Sequence, residues 1–162
     1  MSMNIICWNC RKALNPRFRN TLDSLMNKYN SSIVIVTEIR IGGMRAKDIT
    51  NRLPFDGAIH TDTSGYARGL WLLWNSEMVE VTQLAKIEQE IHVIVNVLSS
   101  NLSWILSCIY ASPYFAERRL LWDNLAKVSG LHNFALTMLG DFNEILSSAD
   151  KFGGNPINMR RA

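Results

Sequence analysis

The stretch Phe134-Ala135-Leu136-Thr137-Met138-Leu139-Gly140-Asp141-Phe142-Asn143 places an apolar run directly before an acid and an amide. The apolar run, Phe134 to Leu139, predicts a β-strand, and in an extended segment residues two apart point to the same side. Asp141 and Asn143 can therefore meet one ligand. A phosphate suits this pair, because the carboxylate can orient or deprotonate a water, the carboxamide can donate to a phosphate oxygen, and Gly140 lets the backbone come close.

Length and composition predict one compact domain over residues 1–162. The chain has 162 residues, of which 48% are hydrophobic, and a domain of this size buries roughly 70% of its unfolded surface. Lys and Arg outnumber Asp and Glu by 17 to 14. This excess permits a polyanionic partner but is weak evidence for one.

Cysteine content and hydropathy indicate a soluble protein of a reducing compartment, nuclear or cytoplasmic. Cys7 and Cys10 have Cys-x-x-Cys spacing, but a zinc site needs a second pair and only Cys108 remains. The apolar runs are far shorter than the ~20 residues that a membrane span requires. We expect no membrane partner, and the sequence leaves the oligomeric state open.

Hydrophobic periodicity predicts an α/β (α+β) protein with the order β-α-β, a β-meander, then α-β. The predicted strands are Asn4 to Trp8, Ile33 to Val36, Leu70 to Trp74, Val79 to Leu84, Ile91 to Leu98, Trp104 to Tyr110 and Phe134 to Leu139. One helix is expected from Asn15-Pro16 to about Tyr29. The stretch from Gly42 to Gly65 is expected to be a long surface connection.

A second helix is predicted to open at Ser112-Pro113 and to stop at Gly130. The residues expected on its inward face are Phe115, Leu121, Trp122, Leu125 and Val128. His92, on an apolar strand, is most simply a structural histidine.

Polar side chains end four of the predicted strands, where folding does not require them. Asn9 ends the first, Glu38 the second, Tyr110 the meander, and Asp141 with Asn143 the last. A mixed sheet gathers such ends along one edge, the usual place for a site in folds of sheets and helices. Carboxylates, carboxamides and a phenol there fit magnesium-assisted attack of water on a phosphodiester.

These residues resemble the endonuclease/exonuclease/phosphatase superfamily, and within it the apurinic-like endonuclease domain of plant non-LTR (LINE-type) retrotransposons. The matching segments are Trp8-Asn9-Cys10-Arg11, Thr37-Glu38-Ile39-Arg40, Gly69-Leu70-Trp71-Leu72-Leu73-Trp74, Tyr110-Ala111-Ser112-Pro113, Arg119-Leu120-Leu121-Trp122, Gly140-Asp141-Phe142-Asn143-Glu144-Ile145-Leu146 and Asp150-Lys151-Phe152-Gly153-Gly154. The segments keep one order along the whole chain.

The resemblance implies a fold, a reaction and a set of roles. The implied fold is a two-layer sandwich of mixed sheets flanked by helices, and the implied reaction is hydrolytic nicking of DNA with Mg²⁺. Glu38 would ligate the metal ion, and Asn9 would support the metal site. Tyr110 would contact the scissile phosphate. Asp141 would position or activate the attacking water, and Asn143 would hydrogen-bond a phosphate oxygen.

The sequence also departs from the family pattern. Lys12 and Arg68 stand where the family often has Gly, and Thr37 replaces the usual Gln before Glu38. The family completes its site with a Ser-Asp-His element, whereas the three histidines here, His60, His92 and His132, all precede Asp141. The resemblance therefore implies the N-terminal portion of a full domain, with an incomplete second sheet and impaired turnover.

Two other functions stay open at this stage. The first is a catalytically inactive, truncated remnant that at most binds nucleic acid, for which a basic stretch formed by Arg11, Lys12, Arg17 and Arg19 could contact phosphates. A solvated helix face explains the same stretch equally well. The second is a phosphatase of the same superfamily acting on a small phosphorylated substrate.

Overall fold

Two four-stranded sheets face each other in the computed structural model, which describes residues 3–62, 69–144, 149 and 152. Several residues of the quoted segments lie outside these ranges: Gly65, Arg68, Ile145, Leu146, Asp150, Lys151, Gly153 and Gly154. In the described part, no helix is both long and apolar enough to cross a membrane. The predicted α/β class and the two-layer arrangement of mixed sheets with flanking helices are confirmed.

The first sheet has the strand order β1-β2-β4-β3. Its strands are β1 (Ile5–Asn9), β2 (Ile33–Thr37), β3 (Gly57–His60) and β4 (Leu70–Trp74). β1 runs parallel to β2, and β4 runs antiparallel to both β2 and β3. β2 is buried along its whole length, as its β-branched run predicts for a central strand.

The second sheet has the strand order β5-β6-β7-β8. Its strands are β5 (Val79–Ile87), β6 (Glu90–Val97), β7 (Ser103–Tyr110) and β8 (Leu136–Asp141). The first three form the antiparallel meander, and β8 joins β7 in parallel after a helical crossover. That helix is α3 (Phe115–Leu131).

Alternation along the strands divides the apolar residues between an inner and an outer core. Ile33 and Ile35 of β2 pack between the sheets against residues such as Val93 of β6. Val34 and Val36 point to the other face, where Phe18 and Leu22 of the helix α1 (Phe18–Tyr29) cover them. The side-chain period of two assigns each strand residue to one of these layers.

The expected long connection after Gly42 is wrong, because two elements lie within it. α2 (Gly43–Thr50) begins directly after Gly42, and β3 follows Pro54. Ala46 and Thr50 are buried at helical spacing. The Gly and Pro residues mark the ends of these elements rather than an irregular loop. The predicted order also counts Leu70–Trp74 as the first strand of the meander, whereas this strand pairs with β2 in the first sheet.

The expected inward face of α3 is only partly correct. Leu121 and Leu125 are buried, but Phe115 is 48% exposed and Trp122 is 42% exposed. The third buried residue of the helix is Arg118, which precedes the two leucines at the i, i+3, i+7 spacing of one helix face. The helix also continues past Gly130 to Leu131.

The predicted helix starts are each displaced by a few residues. α1 begins at Phe18, with Arg17 as its N-cap, and Asn15 instead accepts a hydrogen bond on Oδ1 from the Arg17 backbone N–H at 3.0 Å. α3 begins at Phe115, with Tyr114 as its N-cap. Asn15 and Ser112 therefore form local turns ahead of the helices rather than caps on them.

Candidate active site

The strand register brings the predicted strand-end residues to one edge of the sandwich. Asn9 pairs with Thr37, which directly precedes Glu38. In the second sheet Tyr110 pairs with Asp141 as the last partners of β7 and β8. Because both pairs are parallel, their carboxyl ends lie side by side, as expected for a site in this kind of fold.

A hydrogen bond joins the two sheets at this edge. Ile5 and Leu139 pack in the core between the sheets, so Asn9 and Asp141, an even number of residues further on, point toward the same space. Asn9 Nδ2 donates to Asp141 Oδ2 at 3.3 Å. Two residues 132 positions apart in the sequence thus meet at the mouth of the sandwich.

Asp141 and Asn143 are held together by a turn. The Asn143 backbone N–H donates to Asp141 Oδ1 at 3.0 Å, and Asn143 Nδ2 donates to the Ala111 carbonyl at 2.5 Å. Strand alternation is therefore the wrong reason for their convergence: β8 ends at Asp141, and Asn143 takes a left-handed φ of 47°. We call Asn9, Asp141 and Asn143 the edge cluster.

Gly140 allows the two site-bearing strands to pair closely. Its φ is 152°, and a Cβ at this position would lie 1.8 Å from the Ile109 carbonyl oxygen of β7. The pairing continues past Gly140, since the N–H of Ala111, the residue after β7, donates to the Asp141 carbonyl at 2.8 Å. A side chain at position 140 would therefore displace Asp141 from β7.

Glu38 is buried at the end of β2, on an irregular backbone. Its φ is 59°, in the left-handed region, and its carboxylate pairs with the Arg40 guanidinium. A non-glycine residue in this region costs roughly 1–2 kcal/mol, so the surrounding contacts hold the conformation. One contact is the Cys10 thiol, which lies 3.8 Å from the Glu38 carbonyl; burial raises the pKa of this thiol to about 11.

Tyr110 lies deeper than the edge cluster. Its residue surface is 5% exposed, and its ring packs in the core between the sheets. The Tyr110 backbone N–H donates to the Gln89 carbonyl at 3.0 Å. The structure thus brings Tyr110 into register with Asp141 while burying most of the ring.

The negative charge of Asp141 affects the pKa of the Cys7 thiol. Cys7 lies two residues before Asn9 on β1. Although the surface of Cys7 is exposed, desolvation of its thiol raises the pKa, and the negative charge of Asp141 raises it further.

Oxygen donors at this edge match the preference of a hard cation. The Glu38 carboxylate and the Asn9 Oδ1 are ligands of the kind that Mg²⁺ takes. Asn9 Oδ1 accepts the Arg11 backbone N–H at 3.0 Å, and a carboxamide oxygen has a second lone pair. Within residues 3–62 and 69–144, no group of three or more His, Cys, Asp and Glu side chains could hold a metal ion.

Two of the histidines serve packing in the described structure. His60 ends β3, and its ring lies 5.3 Å from that of Trp71. His92 lies on the face of β6 that α3 covers, opposite to the face of Tyr110. Four side chains there form what we call the buried cluster: Glu90, His92, Ser107 and Asn124. His92 is thus a structural histidine, as predicted.

Contacts within the buried cluster run continuously from β7 to α3. His92 Nδ1 lies 2.7 Å from Ser107 Oγ, and His92 Nε2 lies 3.2 Å from Glu90 Oε1. The other carboxylate oxygen, Glu90 Oε2, accepts from Asn124 Nδ2 at 3.1 Å. Each polar side chain therefore has a protein partner, as burial requires.

Two residues that support the site were not predicted from the sequence. Gln89 accepts the Ser112 N–H on Oε1 at 2.7 Å and donates to the Glu117 carbonyl at 3.2 Å. Arg118 bonds the segments that follow β7 and β8. The signal for Arg118 was its helical spacing from Leu121 and Leu125, whereas Gln89 stands in a turn and carries no comparable pattern.

Three solved structures share this architecture. D. rerio TDP2 complexed with single strand DNA product has a TM-score of 0.64 and 17% identity, over 91% of this chain and 62% of that one. The endonuclease domain of TRAS1, a telomere-specific non-LTR retrotransposon, gives 0.61 and 13%, over 88% and 61%. An endonuclease/exonuclease/phosphatase family protein from Bacteroides thetaiotaomicron gives 0.60 and 13%, over 88% and 63%.

The fold is of the endonuclease/exonuclease/phosphatase type. The chain spans less than two thirds of the length of each of these three structures. No protein-family model matches the chain, and no curated protein matches its sequence. The neighbours of this fold include an endonuclease domain and a mannosyl-6-phosphatase.

Proposed function

We propose that the protein is a Mg²⁺-dependent DNA endonuclease domain of the retrotransposon type, which hydrolyses phosphodiester bonds at the edge cluster. The observation that carries the proposal is the hydrogen bond from Asn9 to Asp141, because it joins the carboxyl ends of both sheets in a fold of this superfamily. The similarity to the TRAS1 endonuclease domain supports the retrotransposon type, and the DNA product bound to TDP2 supports the substrate.

Asp141 is the group proposed to act on the attacking water. Each of its carboxylate oxygens accepts one hydrogen bond, from Asn9 Nδ2 and from the Asn143 N–H, so the carboxylate is fixed in orientation. Each oxygen keeps a further lone pair. Asp141 can therefore accept a hydrogen bond from a water and take its proton as the water attacks phosphorus.

Asn143 and Tyr110 are proposed to contact the phosphate. One N–H of the Asn143 carboxamide donates to the Ala111 carbonyl, and the second can donate to a phosphate oxygen. The bond to Ala111 also fixes the direction of the second donor. Tyr110 lies beside Asp141 in register, and its phenol is the second proposed phosphate ligand.

Glu38 and Asn9 are the residues that would hold Mg²⁺. When bound, the ion would supply positive charge to offset the charge that develops on the phosphate. The pairing of Glu38 with Arg40 keeps a cation beside this carboxylate in the described structure. Nuclear or cytoplasmic residence is part of the same proposal.

Nicking of supercoiled plasmid tests the proposed function. Purified protein should convert supercoiled to open-circular DNA with Mg²⁺ and should fail to do so with EDTA. Glu38→Ala and Asp141→Ala should each abolish this conversion. Asp123→Ala is the matched control, because Asp123 is an exposed acid of α3. Nicking that survives in both site variants would refute the proposal.

Nucleic-acid binding without turnover is the second candidate function. It is favoured because His60 and His92 both lie away from the edge cluster. His60 is on β3, three strands from β1 in the first sheet, and His92 is covered by α3. Arg11, Lys12, Arg17 and Arg19 are exposed, and the Arg11 N–H donates to Asn9 of the edge cluster. Salt-dependent binding of plasmid by a protein that nicks nothing would favour this candidate.

A further inference from the structure

Arg118 is a buried cation whose partners come from two different segments. It is 9% exposed, although it is a charged residue on a helix near the surface. Its Nη1 donates to the Ser112 carbonyl at 3.1 Å and to the Pro113 carbonyl at 2.8 Å. Its Nε donates to Glu144 Oε1 at 2.6 Å. One side chain therefore joins the segment after β7 to the segment after β8.

These two segments carry groups of the candidate site. Ser112 and Pro113 follow Tyr110 with only Ala111 between them, and Glu144 directly follows Asn143. The segments are also linked at the site itself, where Asn143 Nδ2 donates to the Ala111 carbonyl. Arg118 thus closes a second connection, on the helix side, between the same two pieces of chain.

The shape of the guanidinium is required for this arrangement. Arginine presents five N–H donors in a rigid planar fork, whereas lysine presents a single compact ammonium on a flexible stem. A lysine at position 118 keeps the charge but cannot reach Glu144 and both carbonyls in the same geometry. The neighbouring Arg119 is exposed, so the same substitution there changes no buried contact.

We infer that Arg118 is a positioning residue for the hydrolytic site: by holding Ser112, Pro113 and Glu144 together, it sets the position of Asn143 relative to Asp141 and the Ala111 carbonyl. The inference rests on the proposed phosphodiesterase function. Arg118 contacts neither the substrate nor the reacting atoms in this scheme. Its effect is transmitted through the backbone on either side of the Asn143 contact.

The kinetic test compares Arg118→Lys with Arg119→Lys in steady-state nicking assays. Displacing reacting groups by about 1 Å can cost on the order of a hundredfold in rate. We expect kcat of Arg118→Lys to fall at least about tenfold, with KM within about twofold of wild type. Arg119→Lys should keep kcat. Equal kcat values for the two variants would overturn the inference, as would a loss confined to KM.

Hydrogen exchange provides a readout that does not need activity. The Ala111 amide donates to the Asp141 carbonyl across β7 and β8, and it exchanges only when this contact opens. Its exchange should quicken in Arg118→Lys by about tenfold or more relative to Arg119→Lys, while amides of the first sheet stay unchanged. If wild-type protein does not nick, the proposed function fails and this measurement alone decides the inference.

A second variant covers the case in which Arg118→Lys does not fold. Glu144→Ala removes the bond to the segment after β8 and leaves the two carbonyl bonds in place, and Glu144 is partly exposed. It should also quicken Ala111 exchange and lower kcat, though less than Arg118→Lys. Unchanged Ala111 exchange in Glu144→Ala would overturn the inference, because the second segment would then be held without Arg118.

Discussion

The edge cluster and the buried cluster contain similar side chains in opposite surroundings. Glu90 is fully buried and His92 is 3% exposed. Both lie on β6, which pairs with β7 in regular register but with β5 across a β-bulge between Gln83 and Ala85, the partner of His92. Asp141 and Asn143 instead lie where β8 ends, partly exposed and on a turn with a left-handed residue. Exposure, rather than residue type, therefore distinguishes the edge cluster from the buried cluster.

The difference has an energetic consequence. In the buried cluster every partner is another protein group, so loss of one member leaves a buried polar atom without a hydrogen bond. At the edge, water can replace a lost partner, and the free energy of unfolding depends less on each residue. Substitutions in the two clusters should thus separate activity from stability.

The largest expected effect is the loss of activity in Asp141→Asn. The substitution keeps the shape of the side chain and removes the base, which should slow nicking by about 10² to 10⁴-fold. The thermal midpoint should stay near that of wild type, because the residue is partly exposed. Plasmid nicking and calorimetry on the same preparations check both parts. A large drop in midpoint would contradict the contrast between the clusters.

The next effect is the destabilisation caused by His92→Leu. It leaves one Glu90 carboxylate oxygen and the Ser107 hydroxyl without their partner in a buried position, which should lower the free energy of unfolding by about 3 kcal/mol. Urea denaturation measures the change. His132→Leu is the control, since His132 lies at the end of α3 and outside the cluster. Equal stability of the two variants would show that the buried cluster contributes nothing.

A smaller destabilisation is expected for Ser107→Ala. Loss of the hydroxyl leaves His92 Nδ1 unpaired in the core, at a cost of about 1–2 kcal/mol. Ser129→Ala removes an exposed hydroxyl from α3 and should change stability by less than about 0.5 kcal/mol. Denaturation of both variants under the same conditions tests this. If the two variants were equally stable, the expected difference between buried and exposed hydroxyl groups would be contradicted.

The smallest effect concerns His60, a half-buried histidine outside both clusters. Burial lowers the pKa of His60 below 6.5, and the charges of Lys86 and Lys47 lower it further. The unfolded chain then binds the proton more readily, so stability falls as the pH drops from about 6.5 through the folded pKa. Stability of wild type should decline more between pH 7.5 and 5 than that of His60→Gln. An equal decline in the free energy of unfolding of both proteins over this pH range would contradict a lowered pKa of His60.

Much of the fold could be predicted because its signals are local. β-branched and alternating runs located seven of the strands to within a few residues, and the period of α1 located that helix. β3 and α2 were missed because each is short, with few buried residues, and is bounded by Gly and Pro signals that are also typical of loops. The assignment of Leu70–Trp74 to the wrong group of strands reflects a non-local pairing, which no local pattern contains.

The candidate site could be predicted as a set of strand ends but not as a set of contacts. The sequence places polar residues after strands, and parallel pairing then gathers them. The direct contact of Asn9 with Asp141 depends on how two sheets pack, and the contact of Asn143 with Ala111 depends on a left-handed turn. Both contacts belong to the tertiary structure and cannot be predicted from a local sequence pattern.

The sequence by itself determined the fold class, most strands and the residues at the candidate site, because side-chain periodicity and strand ends are properties of short segments. Only the tertiary structure decided that Asn9 meets Asp141, that His92 belongs to a buried network and that Arg118 joins the segments around the site. The physical reason is that burial and hydrogen-bond partners are set by segments far apart in the chain. A polar residue acquires its structural or functional role from what covers it.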